Sequence, residues 1–333
     1  MSKSVKLEIA SKLREQQQEL PKTCGVYLFL DERNYPLYIG KSVHLKSRVA
    51  SYLRGDSHDH EERIQRMVHE AFTLRYIETE TELLALLLED ALIKKYLPVY
   101  NIRQKQFRDY RYLQLSDDAF PRLITLEDPN QVNPPIYGPF RDKYFIERLQ
   151  QVFSRYLGFR SCGDANPKAS CMELDLKQCL GPCVLQEVHG EYAKSTLQVA
   201  QFLEGTDPGV ISTIESEINL CINELRFEYA KRLREDLIFC DAFFNRQRFN
   251  HRFRVDHLKI EGRQGTPTYL FENGALKEVL LKDGRICKVG EQLDLFDLSI
   301  VKEDDPRFLL DRANLVYNWL NQNQKLVEYS FRA

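Results

Sequence analysis

The sequence predicts an α/β protein of the α+β kind, whose N-terminal part has a small, mostly antiparallel sheet flanked by helices. Two runs rich in β-branched and aromatic residues, 25–30 and 36–41, flank the turn-forming residues 31–34 and indicate a β-hairpin. Helices are expected next at about 43–53 and 59–70. Because a hairpin pairs its strands in opposite directions, at least part of the sheet must be antiparallel.

The remaining segments continue this mixture of strands and helices. A strand at 72–79 and an apolar helix at 81–96 complete the order β-β-α-α-β-α, and Pro98 ends the helix because proline cannot continue it. Further short strands and an aromatic-rich helix are expected within 107–160. For the later part we expect two helices and a mixed α/β C-terminal region, with bounds 208–225 and 226–244 for the helices and 267–271 for one strand.

Composition excludes several classes of protein. With 333 residues and 43% hydrophobic composition, the chain can bury a core and is not a disordered tail. Its 47 basic and 49 acidic side chains give a formal net charge of -2, so a nucleic acid would have to bind a local basic face. The charged N-terminus is not a signal peptide, and we expect a soluble cytoplasmic protein without a membrane partner.

A cluster of phenolic and basic residues surrounds the hairpin. Tyr27 and Tyr38 lie on adjacent predicted strands and can present their hydroxyls on one face, while Arg48 and Tyr52 share a face of the next helix. Phosphodiester hydrolysis needs a positioned water and charge stabilisation on the phosphoryl oxygens, and the planar guanidinium of Arg48 suits the second task. Lys41 is placed where it could favour a tyrosinate.

A carboxylate inside an apolar helix is the candidate metal ligand. Tyrosine is a poor base at neutral pH, because its ordinary pKa is about 10, so it needs a nearby cation or a metal-bound water. Glu89 lies within the apolar run 83–93, where a carboxylate is costly unless it binds something such as Mg²⁺ or Mn²⁺. Taken one at a time, these residues are explained more simply as packed tyrosines or solvated surface charges. Their occurrence together, in this order along the chain, favours a catalytic site.

The pattern GVY…LYIGKS…SRVASYL resembles the GIY-YIG nuclease module, in the version found in the UvrC excinuclease family of bacterial nucleotide excision repair. Val26 replaces the isoleucine of the motif's name. The resemblance implies that Glu89, in the pattern LLLE…LIK…P…YN, holds one divalent cation and that Asn101 orients the site. Either Tyr27 or Tyr38 would be the general base, tuned by Lys41. Tyr52 would be a supporting donor.

Four cysteines, Cys162, Cys171, Cys179 and Cys183, are clustered in one segment, whereas the other four are scattered. In a reducing compartment such clustering indicates metal or cluster ligation more than disulfides. Four thiolates can close a tetrahedral zinc site or hold an iron–sulfur cluster, and the long spacings favour iron–sulfur. The resemblance to the same family implies a [4Fe-4S] cluster; free buried thiols are the alternative.

The run 225–236 resembles the UVR motif, through which members of the family dock onto the excinuclease component UvrB, with UvrA involved indirectly. The expected partner-binding residues are Phe227, Glu228, Ala230 and Arg234. An ordinary helical hairpin in the core is the alternative. Contacts to damaged double-stranded DNA are expected from basic residues that neutralise phosphates, with a solvated charged surface as the alternative. The expected DNA-contact residues are Lys46, Lys94, Lys95, Arg103, Lys105, Arg108 and Arg111.

The resemblance divides the chain into five expected segments: 1–104 a GIY-YIG nuclease domain with a short leader, 105–160 linking strands and helix, 161–190 the four-cysteine segment, 191–246 the helical hairpin, and 247–333 a region of unknown role. Residues 250–333 carry no convincing carboxylate set and no repeated hairpin glycine motif. The resemblance is therefore closest to the short single-nuclease homologues called Cho and implies one incision, 3′ of a lesion. A catalytically silent scaffold protein and a sequence-specific homing or restriction nuclease are the alternatives.

Overall fold

The computed structural model describes residues 12–54, 61–102, 110–127, 135–140, 143–163, 170–263, 265–288 and 305–332. The chain forms two compact units, one made of residues 1–108 together with 256–333 and the other of residues 109–255. In the described ranges, no helix is long and apolar enough to cross a membrane.

The first unit contains a three-stranded antiparallel sheet of strands β1 (Gly25–Leu30), β2 (Pro36–Ser42) and β3 (Thr73–Glu78), in the order β2-β1-β3. Every residue of the central strand β1 is buried. The hairpin turn is closed by Asp31, whose Oδ1 accepts hydrogen bonds from the backbone N–H groups of Arg33 and Tyr35, both at 2.8 Å. This Asx-type turn fixes the register of the two strands.

Three helices cover the two faces of this sheet: α1 (Leu45–Arg54), α2 (Glu61–Glu70) and α3 (Glu82–Tyr96). Alternate residues of β1 face opposite sides, so Val26 and Leu28 pack with α3, whereas Tyr27 and Phe29 pack with α1. Helix α3 begins after Thr81, whose hydroxyl accepts from the backbone N–H of Leu84, and ends at Leu97 in the left-handed conformation. The predicted order β-β-α-α-β-α is confirmed.

The second unit contains the antiparallel sheet β5-β4-β6, formed by β4 (Arg111–Leu115), β5 (Leu123–Leu126) and β6 (Ile136–Phe140). A helical layer follows: α4 (Lys143–Leu157), a single turn at Met172–Asp175, α5 (His189–Glu204), α6 (Gly209–Asn223) and α7 (Phe227–Val255). The predicted helical pair corresponds to α6 and α7, although α7 continues well beyond the expected end at residue 244. The sequence reasoning missed α5 as a separate helix.

The C-terminal part returns to the first unit. Strands β7 (His257–Gly262), β8 (Thr268–Glu272), β9 (Ala275–Leu280), β10 (Ile286–Lys288) and β11 (Val327–Arg332) form an antiparallel sheet in the order β10-β9-β8-β7-β11. Helix α8 (Pro306–Gln322) buries an apolar face that includes Val316 and Trp319. The expectation of a mixed α/β C-terminal part agrees with these elements, and the five-segment division stays a prediction.

Candidate active site

Three tyrosines of the first unit form a connected group. The hydroxyl of Tyr27 donates to that of Tyr52 at 3.0 Å, and the hydroxyls of Tyr38 and Tyr52 are 3.3 Å apart. The three ring centroids are separated by 5.8 to 6.2 Å. Tyr27 and Tyr52 are buried, whereas Tyr38 is half-buried and reaches solvent. The sequence-based expectation that these hydroxyls share one face is therefore confirmed by the geometry.

Gly40 makes room for this group. It lies opposite Tyr27 in the β1–β2 pairing, and a Cβ atom at this position would be 2.3 Å from the Tyr27 hydroxyl oxygen. Real side chains do not tolerate such an approach, so any larger residue would displace the tyrosine. The glycine of the YIGKS run is thus explained by the close packing of Tyr27 behind it.

Arg48 brings a positive charge to the tyrosines. Its guanidinium lies 5.0 Å from the centroid of the Tyr52 ring, and its side chain hydrogen-bonds with Tyr27. Burial lowers the pKa of Arg48, but the nearby tyrosines outweigh that effect and raise the pKa above its ordinary value. The side chain remains accessible to solvent on α1, so it can meet an anionic substrate while contacting the phenols.

Without a further cation the phenols stay protonated. Burial is the main reason that the pKa values of Tyr27 and Tyr38 lie above that of free tyrosine, and the neighbouring phenols add to the rise. Lys41 does not offset this effect in the way expected, because its Nζ forms an ion pair with Glu82 Oε1 at 2.5 Å. Sequence reasoning missed Glu82, which precedes Glu89 by two helical turns and therefore shares its face of α3.

Glu89 lies beside the same group. Its Oε1 accepts the backbone N–H of Lys41 at 3.0 Å, and its charge contributes to raising the pKa of Tyr38. Within the described part of the chain, no three His, Cys, Asp or Glu residues form a metal-binding group. One carboxylate nevertheless fits Mg²⁺, which commonly keeps several waters and takes its other oxygen ligands from substrate phosphates. The half-buried Glu89 is suited to that arrangement.

Asn101 acts on the backbone of β2. Its Oδ1 accepts from the Ile39 N–H at 2.9 Å, and its Nδ2 donates to the Ile39 carbonyl at 2.7 Å. The buried amide thereby takes the place of a neighbouring strand for the residue between Tyr38 and Gly40. This geometry agrees with an orienting role and gives Asn101 no direct place among the phenols.

The expected DNA-contact residues that the structure describes have different surroundings. The prediction that Lys94 contacts DNA is wrong. Its side chain is only 2% exposed and is ion-paired with Asp90 at 2.7 Å, so it cannot meet a phosphate. Lys46 donates to the carbonyl of Gln18, and Lys95 packs its Nζ 5.3 Å from the Tyr96 ring. Arg111 belongs to the second unit and pairs with Glu127 at 3.1 Å. Arg103, Lys105 and Arg108 lie outside the described residues.

The four clustered cysteines share one neighbourhood of the second unit. Burial raises the pKa of the Cys179 thiol, and Cys162, Cys183 and Cys171 contribute to the same rise by their proximity. The guanidinium of the buried Arg160 donates to the Cys162 carbonyl at 3.0 Å and to Asp118 at 2.5 Å. The described thiols nevertheless do not form a closed ligand set, so neither iron–sulfur nor zinc binding is confirmed.

The expected partner-binding residues divide into two groups. Phe227, Glu228 and Arg234 are exposed near the start of α7, with Phe227 60% exposed. The prediction that Ala230 binds the partner is wrong, because Ala230 is 3% exposed and packs in the core between α6 and α7. Leu225, in the turn between α6 and α7, has a φ of 60° and is exposed.

Two families of known proteins match successive parts of the chain. Residues 23–102 match the family described as UvrC-like GIY-YIG domain, and residues 110–202 match the UvrC/Cho excinuclease middle domain. The UvrABC system protein C of Haloarcula marismortui is 35% identical over 234 residues, covering 68% of this chain and 39% of that relative. The chain thus spans well under half of the relative's length.

Solved structures that resemble the chain are much shorter. The GIY-YIG N-terminal endonuclease domain of UvrC from Thermotoga maritima, bound to magnesium as its catalytic divalent cation, is 38% identical. The match covers 27% of this chain and 97% of that domain, with a TM-score of 0.25. A variant of that domain, with one tyrosine replaced by phenylalanine, is also 38% identical. This match covers 28% of this chain and 97% of the variant, with a TM-score of 0.25. On the two family matches and the curated relative, this chain belongs to the UvrC family and contains its GIY-YIG endonuclease domain followed by the UvrC/Cho middle domain.

Proposed function

We propose that the protein is a structure-selective DNA endonuclease of nucleotide excision repair, which makes one metal-dependent incision 3′ of a lesion in a complex with UvrB. The observation that carries this proposal is that Tyr38 and Arg48 both contact Tyr52, while Glu89 lies within electrostatic reach of Tyr38. In this proposal the chain acts like the single-nuclease homologues called Cho.

Tyr38 is the better candidate for the general base. It is the half-buried member of the three tyrosines, and it lies within electrostatic reach of Glu89. A divalent cation at Glu89 would supply positive charge for the phosphoryl oxygens and for lowering the pKa of a nearby hydroxyl. With its pKa lowered in this way, Tyr38 would release its proton to solvent, and the tyrosinate would accept a proton from the attacking water. Arg48 would stabilise the developing charge, and Tyr52 would orient the Tyr38 oxygen.

The decisive experiment maps the nick. The purified chain is incubated with a lesion-bearing duplex, UvrA, UvrB, ATP and Mg²⁺, and both strands are resolved on sequencing gels. We expect one nick on the damaged strand, 3′ of the lesion, that depends on UvrB. Cleavage of undamaged duplex at a fixed sequence without partners would replace the proposal with a homing or restriction nuclease, and no cleavage would favour a scaffold.

We further propose that Cys162, Cys171, Cys179 and Cys183 hold a [4Fe-4S] cluster in a reducing cytoplasm, with zinc as the alternative. The proximity of the four side chains and the chemistry of four thiolates support it. We expect brown protein with iron and acid-labile sulfide after anaerobic purification, and loss of both in Cys179→Ala. Zinc without iron would select the alternative, and protein free of both metals would end the ligand proposal.

We also propose that the exposed start of α7 docks onto UvrB. Phe227→Ala removes an exposed ring near the turn, and we expect it to reduce binding to UvrB at least about tenfold, because aromatic residues dominate such interfaces. Leu197→Ala is the matched control, since Leu197 is 58% exposed on α5 and Phe227 is 60% exposed. Equal binding of both variants and the wild type in a titration would contradict the proposal.

A further inference from the structure

The C-terminal sheet and α8 lie outside the two family matches, which end at residue 202. Residues 256–333 nevertheless belong to the compact unit that contains the tyrosines and Glu89. Their contacts in that unit include both ends of α3, the helix that carries Glu89. The arrangement of these contacts indicates a role for the C-terminal part in the site.

The first connection is a buried ion triad between α3 and α8. Lys94 Nζ lies 2.7 Å from Asp90 Oδ2 and 3.4 Å from Asp311 Oδ2, and the three side chains are 2%, 12% and 11% exposed. The ring of Phe308 covers the ammonium at 5.1 Å. A buried charge that loses its partner is strongly destabilising. Movement of α8 away from α3 would leave Lys94 and Asp90 with an incomplete ion network.

The second connection is at the other end of α3. Tyr269 of β8 is buried, and its side chain hydrogen-bonds with Thr81, the residue that caps α3. The same ring packs edge-on against Trp319 of α8, with centroids 5.7 Å apart. In addition, Arg285 lies 3.5 Å from Glu80. The C-terminal part therefore holds the start of α3 as well as its last turns.

The site contacts of α3 lie between these two connections. Glu82 pairs with Lys41 Nζ and Glu89 accepts the Lys41 backbone N–H. Consecutive residues of an α-helix point about 100° apart, so Glu89 can face the hairpin while Asp90 faces α8. A small shift or rotation of α3 would move the Glu89 carboxylate relative to Tyr38, and residues that support a metal ligand from behind typically change the metal affinity when they are lost.

We propose that the C-terminal sheet and α8 form a platform that sets the position of Glu89 through α3, with Asp311, Lys94 and Tyr269 as positioning residues. They do not touch the substrate; they control how well the site binds its divalent cation. This inference rests on the proposed role of Glu89 as the cation ligand. It assigns a function to the C-terminal part, for which sequence reasoning offered none.

The test uses Asp311→Asn and Tyr269→Phe in the full chain, each of which keeps the shape of the side chain. We measure Mn²⁺ affinity by titration calorimetry, and the Mg²⁺ concentration that gives half-maximal nicking. We expect both constants to weaken by about tenfold, as for residues that support a ligand indirectly, with the nicking rate at saturating Mg²⁺ within about twofold of wild type. Asp311→Glu, which restores the carboxylate, should recover most of the affinity.

The matched control is Glu261→Gln, because Glu261 is an exposed carboxylate of the same sheet that pairs with Lys259. A lower melting temperature with unchanged cation affinity in Asp311→Asn and Tyr269→Phe would overturn the proposal, as would unchanged values of both. Hydrogen exchange of the α3 amides separates this failure from that of the proposed function. If the wild type binds no cation but Asp311→Asn speeds hydrogen exchange along α3, the C-terminal part still positions α3 and the proposed role of Glu89 is wrong. If hydrogen exchange along α3 is unchanged in Asp311→Asn, the proposed platform is wrong.

Discussion

Glu89→Gln is expected to lower the rate of Mg²⁺-dependent nicking by at least about 10²-fold, because the bound cation contributes several kcal/mol to stabilising charge in the transition state. The substitution is mild for the fold. The glutamine amide oxygen can still accept the Lys41 backbone N–H that Glu89 Oε1 accepts at 3.0 Å. Single-turnover nicking of a lesion-bearing duplex and the melting temperature measure the two effects separately.

The control for this variant is Glu62→Gln, which neutralises an exposed carboxylate of α2 that pairs with Arg66. It should nick at the wild-type rate, because surface ion pairs of this kind contribute little. Raising the Mg²⁺ or Mn²⁺ concentration should not restore Glu89→Gln to the wild-type rate. A Glu89→Gln enzyme that nicks as fast as wild type would show that another group holds the cation and would remove Glu89 from the mechanism.

The second large effect is expected for Arg48→Ala, with a loss of about 10² to 10³-fold in the rate of the chemical step, comparable to the loss of one preorganised donor to a developing oxyanion. Arg48 approaches the Tyr52 ring at 5.0 Å and hydrogen-bonds with Tyr27. Its removal therefore takes away both the positive charge and a partner of a buried phenol. The affinity for DNA should change little, since a single guanidinium neutralises only one of the several phosphates that a duplex-binding protein contacts.

Arg48→Lys distinguishes charge from geometry. Lysine keeps the positive charge but lacks the planar fork that matches phosphoryl oxygens, so we expect an intermediate rate. Arg33→Ala, which removes an exposed arginine of the hairpin turn, is the control. The assignment would fail if Arg48→Ala lowered only the affinity for DNA and left the rate at saturating DNA unchanged.

Much of the nuclease unit was predictable because its determinants are close together along the chain. The turn at Asp31, the alternation within β1 and the helical spacing of Arg48 and Tyr52 are local patterns, and the structure places these elements where the patterns indicated. Glu89 was predicted as a site residue because a carboxylate in an apolar helix needs a partner, and the structure pairs it with the Lys41 backbone N–H. Glu82 was missed, although its spacing of seven residues from Glu89 was a signal for a shared face.

The errors have a common physical origin. Lys94 and Lys95 are adjacent basic residues, and composition alone cannot distinguish the one that faces α8 from the one that lies beside Tyr96. Ala230 lies in a run with exposed residues, yet its face of α7 packs in the core. In both cases the exposed or buried state depends on elements far along the chain.

The sequence by itself determined the kind of chemistry and the order of strands and helices in the nuclease part, because residue type and short-range spacing specify strands, helices and a set of phenolic, cationic and acidic groups. Only the tertiary structure decided which charges meet solvent and which meet each other. Lys94 pairs with Asp311 across more than two hundred residues, and Lys41 pairs with Glu82. Such long-range pairings follow from the packing of whole helices and sheets, which no local pattern contains.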